Sequence, residues 1–490
     1  MTKEELDFKK PLLLPEPRLF FGGNNSNIDP KVGLLNYGPN GPYGTGEIGT
    51  LILKIGVIGT PASIYTCKQF LKYLENPIAG KIDKKSNVYS IDFPGISAKS
   101  PLKFELKINH SRIEEIPQSE IQALERIDSL EDRILKAVDI YKQKFQDLEE
   151  STEPVDVVLL PLSEQLIRLC KNPLHKQDKI VFARRTFDPD EDIDKVPLFD
   201  FHNILKVLSF KHGMITQVVQ PRTMKFKRGT QDPATLAWNF SVAMYYKGTG
   251  IPWKLADLEE DTVYVGISFY EEIAEEVRNM RTAMAHIYLK TGESQVIRGK
   301  PFKWDTEEGK SPVLTRDQAK EILNDVIDLF NRQKKRIPRR VVVHKSSPFA
   351  DQELEGFHSA SSNIELKDFV HVHSRSSIRF FPKGDYSQVR GTFYGKDDFY
   401  LLYTTGFIPV YDTYPGNRIA EPLNLTLYNV DTTPDQVATD ILSLSKLDWN
   451  SADFCKRLPV TLLVSRKVGS ILSEIRDKAI KPPLSYRNYM

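Results

Sequence analysis

Four side chains near the middle of the sequence share one chemistry: His202, Lys206, Gln217 and Lys247. His202 and Lys206 stand at i, i+4, so a helix through them presents both on one face. Gln217 follows Gly213 in an apolar, β-branched stretch, and Lys247 precedes GTGIPW, a glycine-rich turn of the kind that lets backbone approach a ligand. An imidazole, an amide and two ammonium groups around one point would suit a terminal phosphate, which takes several charge-assisted donors and is repelled by carboxylates. Between His202 and Lys254, 53 residues carry eight Lys or Arg and one acidic residue, Asp232, a formal net charge of +7. The alternative is a solvated basic face. Against it, the window reads as core-like helix, strand and helix rather than as a polar tract.

Other candidate chemistry is weaker. Glu271 and Glu272 follow an apolar strand and read as charges capping a helix N-terminus rather than as metal ligands. His371 and His373 alternate along a strand and share a face, but two histidines without a third ligand read as surface residues. His344, inside VVVHK, reads as a satisfied buried histidine, and GKPFKW, with Lys300, Lys303 and Trp304, is too short to argue from. Cys67, Cys170 and Cys455 are far apart and form no CxxC pair, which disfavours a cysteine zinc site and suits isolated thiols in a reducing cytosol. GxGxxG, Walker A and GxSxG patterns are absent, which argues against a nucleotide-driven motor or a serine hydrolase.

The elements that must position these groups are those of an α/β protein. Residues 1–45 are rich in Gly, Pro and Asn and read as an extended segment lying on something else. Residues 46–255 alternate strand and helix: a strand over Leu51–Ile58, a turn and helix, a long amphipathic helix over 120–150, a buried strand at 155–162, then a helix turning at Gly213 into a strand. A second unit, 256–490, holds strands at 262–270, a pair within 283–299 joined at Thr291-Gly292-Glu293, and RRVVVHK (339–345) after a helix over 315–336. Strands at 367–374, 377–382, 399–404 and 423–429 follow, then helices at 434–447 and 466–480. A mixed α/β sheet of ribonuclease-H-like type accommodates that order.

The chain has 490 residues, 40% hydrophobic and 27% charged, with a net charge of +2. That length suggests two large domains or two to four smaller ones, at about 100 to 200 residues each. The composition excludes a disordered or fibrous chain. Near-neutrality means that any nucleic acid must meet locally concentrated charge. No apolar run reaches the roughly 18 residues that cross a bilayer, and the charged, proline-interrupted start lacks a secretory core, so the expected location is cytoplasmic.

The ordered motifs resemble a known family. HxxxK, then ITQ, then NxxxxxxxKxxGxPW resemble the 5′-phosphate pocket of the Argonaute MID domain. VYVGISFY, VVVHKSSPF, RGTFYGKDDFYLLYTTGFIPVYDTYPG and KLDWNSADFCKRLPVTL are similar to a PIWI domain. DPKVGLLNYGP and IGVIGT resemble the opening of short prokaryotic Argonautes. The resemblance covers most of the chain. It implies a Rossmann-like MID domain followed by a ribonuclease-H-like PIWI domain, without room for separate N and PAZ domains.

By that resemblance, His202 would contact the first guide nucleotide, and Lys206, Gln217 and Lys247 would hold its 5′-phosphate. The C-terminal carboxylate, here Met490, would join a Mg²⁺ ion bridging the first phosphates; a lysine contact without metal is the alternative. An active PIWI nuclease carries carboxylates where this sequence has Ser268, Ser346 and, in a less certain alignment, Ser465. A hydroxyl does not replace a carboxylate as a charged ligand of Mg²⁺, and Lys345 beside the site would disfavour it further. The resemblance thus implies a chain that binds guide RNA and recognises invading DNA without cutting. It would activate a separate APAZ-domain effector chain (TIR, sirtuin-like or nuclease) in prokaryotic immunity. Lys334, Lys335, Arg336, Arg339 and Arg340, with Arg466, Lys467, Arg476, Lys478, Lys481 and Arg487, would suit a duplex channel, read by A-form shape. The rival readings are a stand-alone guided endonuclease and an α/β scaffold for a small phosphorylated ligand or a protein.

Overall fold

A computed structural model describes residues 10–490 apart from 43, 48, 81–89, 151–152, 172–182, 185–195, 198–199, 228–230, 260, 273–278, 283–284, 289–293, 304–311, 375, 385, 397–398, 415–418 and 478. Side chains at 183–184, 196–197, 271–294, 303 and 396 are likewise outside the description. The Thr291-Gly292-Glu293 turn, Trp304, Arg228 and Lys478 therefore lie outside the described residues.

The first unit alternates strand and helix: β1 (Leu51–Gly59), α1 (Pro61–Leu74), β2 (Phe104–Glu115), α2 (Leu130–Glu150), β3 (Val157–Pro161), α3 (Phe201–Lys211), β4 (Thr216–Val219) and α4 (Pro233–Lys247). The strands make one parallel sheet in the order β4-β3-β1-β2. Alternation then fills both faces. Leu53, Ile55, Val57, Val157 and Leu159 pack with α1 and α4, while Ile58, Val158 and Leu160 pack with α2 and much of α3. Two-sided burial is why β3 is apolar throughout.

The second unit is built on β5 (Thr262–Ile267), α5 (Arg316–Lys334), β6 (Arg340–Lys345), α6 (Asp351–Ala360), β7 (Leu366–His373), β8 (Leu423–Tyr428), α7 (Pro434–Leu444) and α8 (Val460–Leu472). Strands β5, β6 and β7 run parallel in register, Ile267 opposite Lys345 and Lys345 opposite His371. Antiparallel strands extend this core into a nine-stranded mixed sheet, with Leu12–Leu13 at one edge and Ser294–Ile297 at the other. Val263, Val265, Ile267, Val341 and Val343 bury against α5 and α6. Tyr264 and Val342 join a core shared with α8, α1 and α4, so hydrophobic packing is continuous between the units.

Short strands between residues 12 and 42 pair with later parts of the chain. Leu12–Leu13 pairs with Thr392–Lys396, Leu19–Phe20 with Lys254–Leu255, and Gly41–Pro42 with Gly250–Ile251. Glu16 is the electrostatic anchor: its carboxylate meets Arg390 at 2.9 Å and Lys446 at 2.5 Å. Both cations are buried, and they hold the Glu16 carboxyl below its ordinary range against the opposing effect of burial. One helix in this segment, Pro30–Tyr37, was not foreseen; Asp29 caps it by accepting from Val32 N at 2.9 Å, with Pro30 at the first position.

Other expectations need correction. The helix over 120–150 is two helices, Gln118–Ala123 and α2, because Arg133 binds the Ile127 and Asp128 carbonyls and Ser129 accepts from Asp132 N at the break. Residues 377–382 form no strand, whereas Thr392–Lys396 does. The helix placed at 466–480 runs earlier, over Val460–Leu472, since Pro459 sets its start. Helix α6 was missed. The first strand of the second unit breaks at Ser268, and Phe269–Glu272 joins a separate three-stranded sheet. Glu271 and Glu272 therefore continue as strand and cap no helix.

Candidate functional site

Asp200 starts α3 by accepting from Asn203 N at 3.1 Å, and Gly213, at φ +61°, reverses the chain into β4. This brings Lys206 back over the start of β4, where its ammonium donates to the Thr216 carbonyl. Lys247, the last residue of α4, reaches the same point. Its ammonium donates to Thr216 O at 2.8 Å, Gln217 Oε1 at 2.5 Å and the Met490 main-chain oxygen at 3.0 Å. Met490 arrives through the final turn, Tyr486–Tyr489, held by Tyr489 against Phe210 of α3 at 4.9 Å between centroids. Lys206, Gln217, Lys247 and Met490 thus share one hydrogen-bonded cluster, and Gln217, Met490 and His202 line a cavity in front of it.

That cavity has a volume of about 510 Å³, and His202, Gln217, Arg222, Thr223, Lys467 and Met490 are among its lining residues. No Asp or Glu is among the described side chains that line it. Lys206 and Lys247 are each 1% exposed. Burial first, and the Lys467 charge second, push Lys206 down to about 7. Lys247 is held well below its ordinary value by burial and then by Lys206 and Lys467. Burial followed by Lys206 pushes His202 down to about 4, against an opposing pull from Asp200. Buried cations this close disfavour one another's protonation, and an entering anion would reverse this.

Sequence reading missed the part played by Lys467, which it grouped with cations along a duplex. Lys467 lies on α8 and is lowered by burial, partly offset by Asp448. Helix α8 is fastened to α3: Asp200 N donates to Glu474 Oε1 at 3.2 Å, and Asn203 Nδ2 to Ser470 O at 3.3 Å. No local signal pairs Lys467 with residues more than 200 positions earlier.

The glycine-rich turn after Lys247 faces the core, not a ligand. A Cβ on Gly248 would meet Leu53 at 1.9 Å, and one on Gly250 would meet the Tyr245 ring at 2.2 Å. Of the other basic residues of the window, Arg222 lines the cavity, whereas Lys225 and Lys227 pair with Glu164 at 3.1 and 2.7 Å, and Lys254 donates to Gly44 O. Much of the expected duplex-tracking charge is also paired. Arg336 meets Asp261, Arg339 meets Glu365, Arg476 meets Glu131, and buried Arg340 lies between Asp368 and Asp440 at 2.6 and 2.7 Å.

Ser268 and Ser346 each follow the last residue of adjacent parallel strands, β5 and β6, at the carboxyl edge where α/β sheets place ligands. Both are buried. Ser465 sits inside α8 with its hydroxyl on Leu462 O at 3.1 Å. His344 is buried as expected but only half satisfied: its Nδ1 is 2.9 Å from Thr461 Oγ1, its Nε2 has no hydrogen-bond partner among the described residues, and burial followed by Arg340 pushes it down to about 3. Lys345 does not face this edge. It shares the parity of Val341 and Val343, turns to the α5–α6 side, and donates to Glu353 Oε2 at 2.7 Å and Pro348 O at 2.9 Å. Its charge is answered there by Glu353. His371 and His373 share a face, 5.9 Å between centroids, but His371 is buried rather than a surface residue. Among the described residues, no three His, Cys, Asp or Glu side chains stand close enough to hold a metal ion. None of the described helices is long and apolar enough to cross a membrane.

Against known proteins, the Piwi domain family profile matches residues 193–475, more than half of the chain. No curated protein sequence matches. Among solved structures, Clostridium butyricum Argonaute bound to a guide DNA and a 19-mer target DNA is similar at 15% identity and a TM-score of 0.63, covering 96% of this chain and 54% of that one. A. aeolicus Argonaute is similar at 16% identity and a TM-score of 0.58, covering 97% and 54%. At such identities the likeness is one of fold, and the chain spans about half the length of these relatives. The parallel β5-β6-β7 core, its mixed extension and the profile match agree: the chain belongs to the Piwi domain family and has an Argonaute-type fold.

Proposed function

We propose that this chain loads a short guide by its 5′-phosphate and uses it to recognise a complementary target. The observation that carries this reading is the cluster at Thr216, where Lys206 and Lys247 converge beside Gln217, Met490 and a cavity that Lys467 also lines. Buried cations beside a cavity with no Asp or Glu among its described lining side chains have one evident class of ligand, a compact anion with several acceptor oxygens. The cavity opens wide enough for a nucleotide beyond that anion, with His202 placed to contact its sugar or base. Residues 46–255 would be the MID domain and 256–490 the PIWI domain, with α8 of the latter completing the pocket.

The finer reading follows the resemblance. The guide is RNA, the target is invading DNA, and the target is held rather than cut. Hydroxyls at Ser268, Ser346 and Ser465 support the last point, because in-line phosphodiester cleavage by two Mg²⁺ ions needs charged oxygen ligands. The output would then come from an APAZ-domain effector chain in the cytoplasm.

Equilibrium binding of labelled RNA with and without a 5′-phosphate, at fixed salt, tests the pocket. A clear preference for the phosphorylated strand is expected, and equal affinity refutes the reading. Running the guide–target duplex with Mg²⁺ or Mn²⁺ should leave the target intact; guide-directed cuts would overturn the non-cutting assignment.

A further inference from the structure

The family resemblance implies a Mg²⁺ ion between the carboxylate of Met490 and the first guide phosphates. The donor set does not fit one. A divalent cation of this class collects about six oxygens, with carboxylates or phosphates supplying charge. Three oxygens of this cluster, Gln217 Oε1, Thr216 O and Met490 O, are already gathered around the Lys247 ammonium at 2.5, 2.8 and 3.0 Å. An ammonium has three N–H donors, so these three acceptors account for its whole capacity. Lys206 shares the Thr216 oxygen, and Lys467 lines the cavity beside Met490. A Mg²⁺ ion on these oxygens would displace the Lys247 ammonium or sit against it, with no side-chain carboxylate to offset the repulsion.

We infer that Lys247 takes the place of the divalent cation, and that Lys206 and Lys467 complete a metal-free, three-lysine cage for a terminal phosphate. Lys247 holds the Met490 oxygen that a metal would otherwise have to neutralise. Its amine can turn one donor to an entering phosphate oxygen, as the phosphate replaces one of the neutral acceptors. Lys467 is then a phosphate-binding residue supplied by the PIWI side. Anchoring of α8 through Asp200–Glu474 and Asn203–Ser470 keeps it in reach.

This inference rests on the phosphate reading of the same cavity, and one experiment separates the two. The affinity ratio for 5′-phosphorylated over 5′-hydroxyl RNA is measured on the unaltered chain in chelator, in Mg²⁺ and in Mn²⁺ at constant ionic strength. The expected result is a ratio that is the same in all three. A ratio that collapses in chelator and returns with Mg²⁺ overturns the metal-free cage and leaves the phosphate pocket standing. A ratio of unity in every condition removes the pocket and the inference together. Lys467→Ala should lower the ratio about tenfold or more, the worth of one charge-assisted bond, with Lys467→Arg retaining most of it. An unchanged ratio in Lys467→Ala removes Lys467 from the cage.

Discussion

Replacing Lys247 with alanine removes the one side chain that touches Thr216, Gln217 and Met490 together. A hydrogen bond from an ammonium to phosphate contributes about 1.5 to 3 kcal/mol, roughly ten- to a hundredfold in affinity. Two effects oppose the loss. Lys206 and Lys467, the two cations that repel the Lys247 ammonium, no longer face a third charge, and Thr216 O keeps its bond from Lys206. The remaining lysines therefore meet the phosphate more fully charged, which places the expected loss near the lower end, about tenfold. The assay is fluorescence anisotropy of matched 5′-phosphorylated and 5′-hydroxyl RNAs on wild type and Lys247→Ala. Any general damage to the fold enters both affinities, so the ratio isolates the phosphate. If the variant keeps the wild-type ratio, Lys247 does not face the guide phosphate and the pocket geometry has been misassigned.

Three further outcomes follow from the structure. Lys206, pushed down to about 7 by burial and then by Lys467, should lose its proton as pH rises from about 6.5 to 9. The phosphate preference should then fall over that window while the unliganded protein gains thermal stability, because a neutral amine is less costly to bury; a flat binding profile contradicts this. Glu16→Ala should cost roughly 3 to 5 kcal/mol by leaving Arg390 and Lys446 buried without their carboxylate, read as a lowered denaturation midpoint. An unchanged midpoint would show that the N-terminal segment is not anchored there. Gly266→Ala places a Cβ 2.1 Å from the Thr461 carbonyl, so it should lower both thermal stability and phosphate preference by displacing α8; retention of both would contradict the packing of α8 on β5.

What was legible in the sequence depended on how far apart the cooperating residues lie. The α3–Gly213–β4 hairpin could be read because its cap, its i, i+4 pair and its turn glycine fall within about twenty residues. Strand parity was also there to be used. Lys345 alternates with His344, so one of them had to turn away from α8, and the run Val341–Val343–Lys345 on the α5–α6 side identifies which. By contrast, Glu16 meets Arg390 and Lys446 across more than 370 residues, and nothing in the local pattern announces that contact. The GTGIPW turn was misread for a related reason. Glycine that admits a ligand and glycine that admits Leu53 look alike until the neighbouring strand is in place. The split of the long helix at Ile127 escaped because apolar periodicity continues across it, while the arginine that closes the break bonds backbone.

Helix α8 explains why pocket and strand ends should be considered together. Its first turn lies against the sheet edge that carries Ser268 and Ser346: Thr461 bonds His344, and its carbonyl leaves no room for a side chain at Gly266. Lys467, six residues on and about 9 Å along the axis, lines the lysine cage, and Ser470 and Glu474 hold α3 beyond it. A rigid helix that borders both places gives the strand ends a structural duty of their own. The packing of Gly266 and His344 against α8 fixes where Lys467 stands, whatever chemistry occurs at Ser268. If the phosphate pocket is what this chain needs, the β5–β6–α8 geometry is required for it independently of any chemistry at the strand ends.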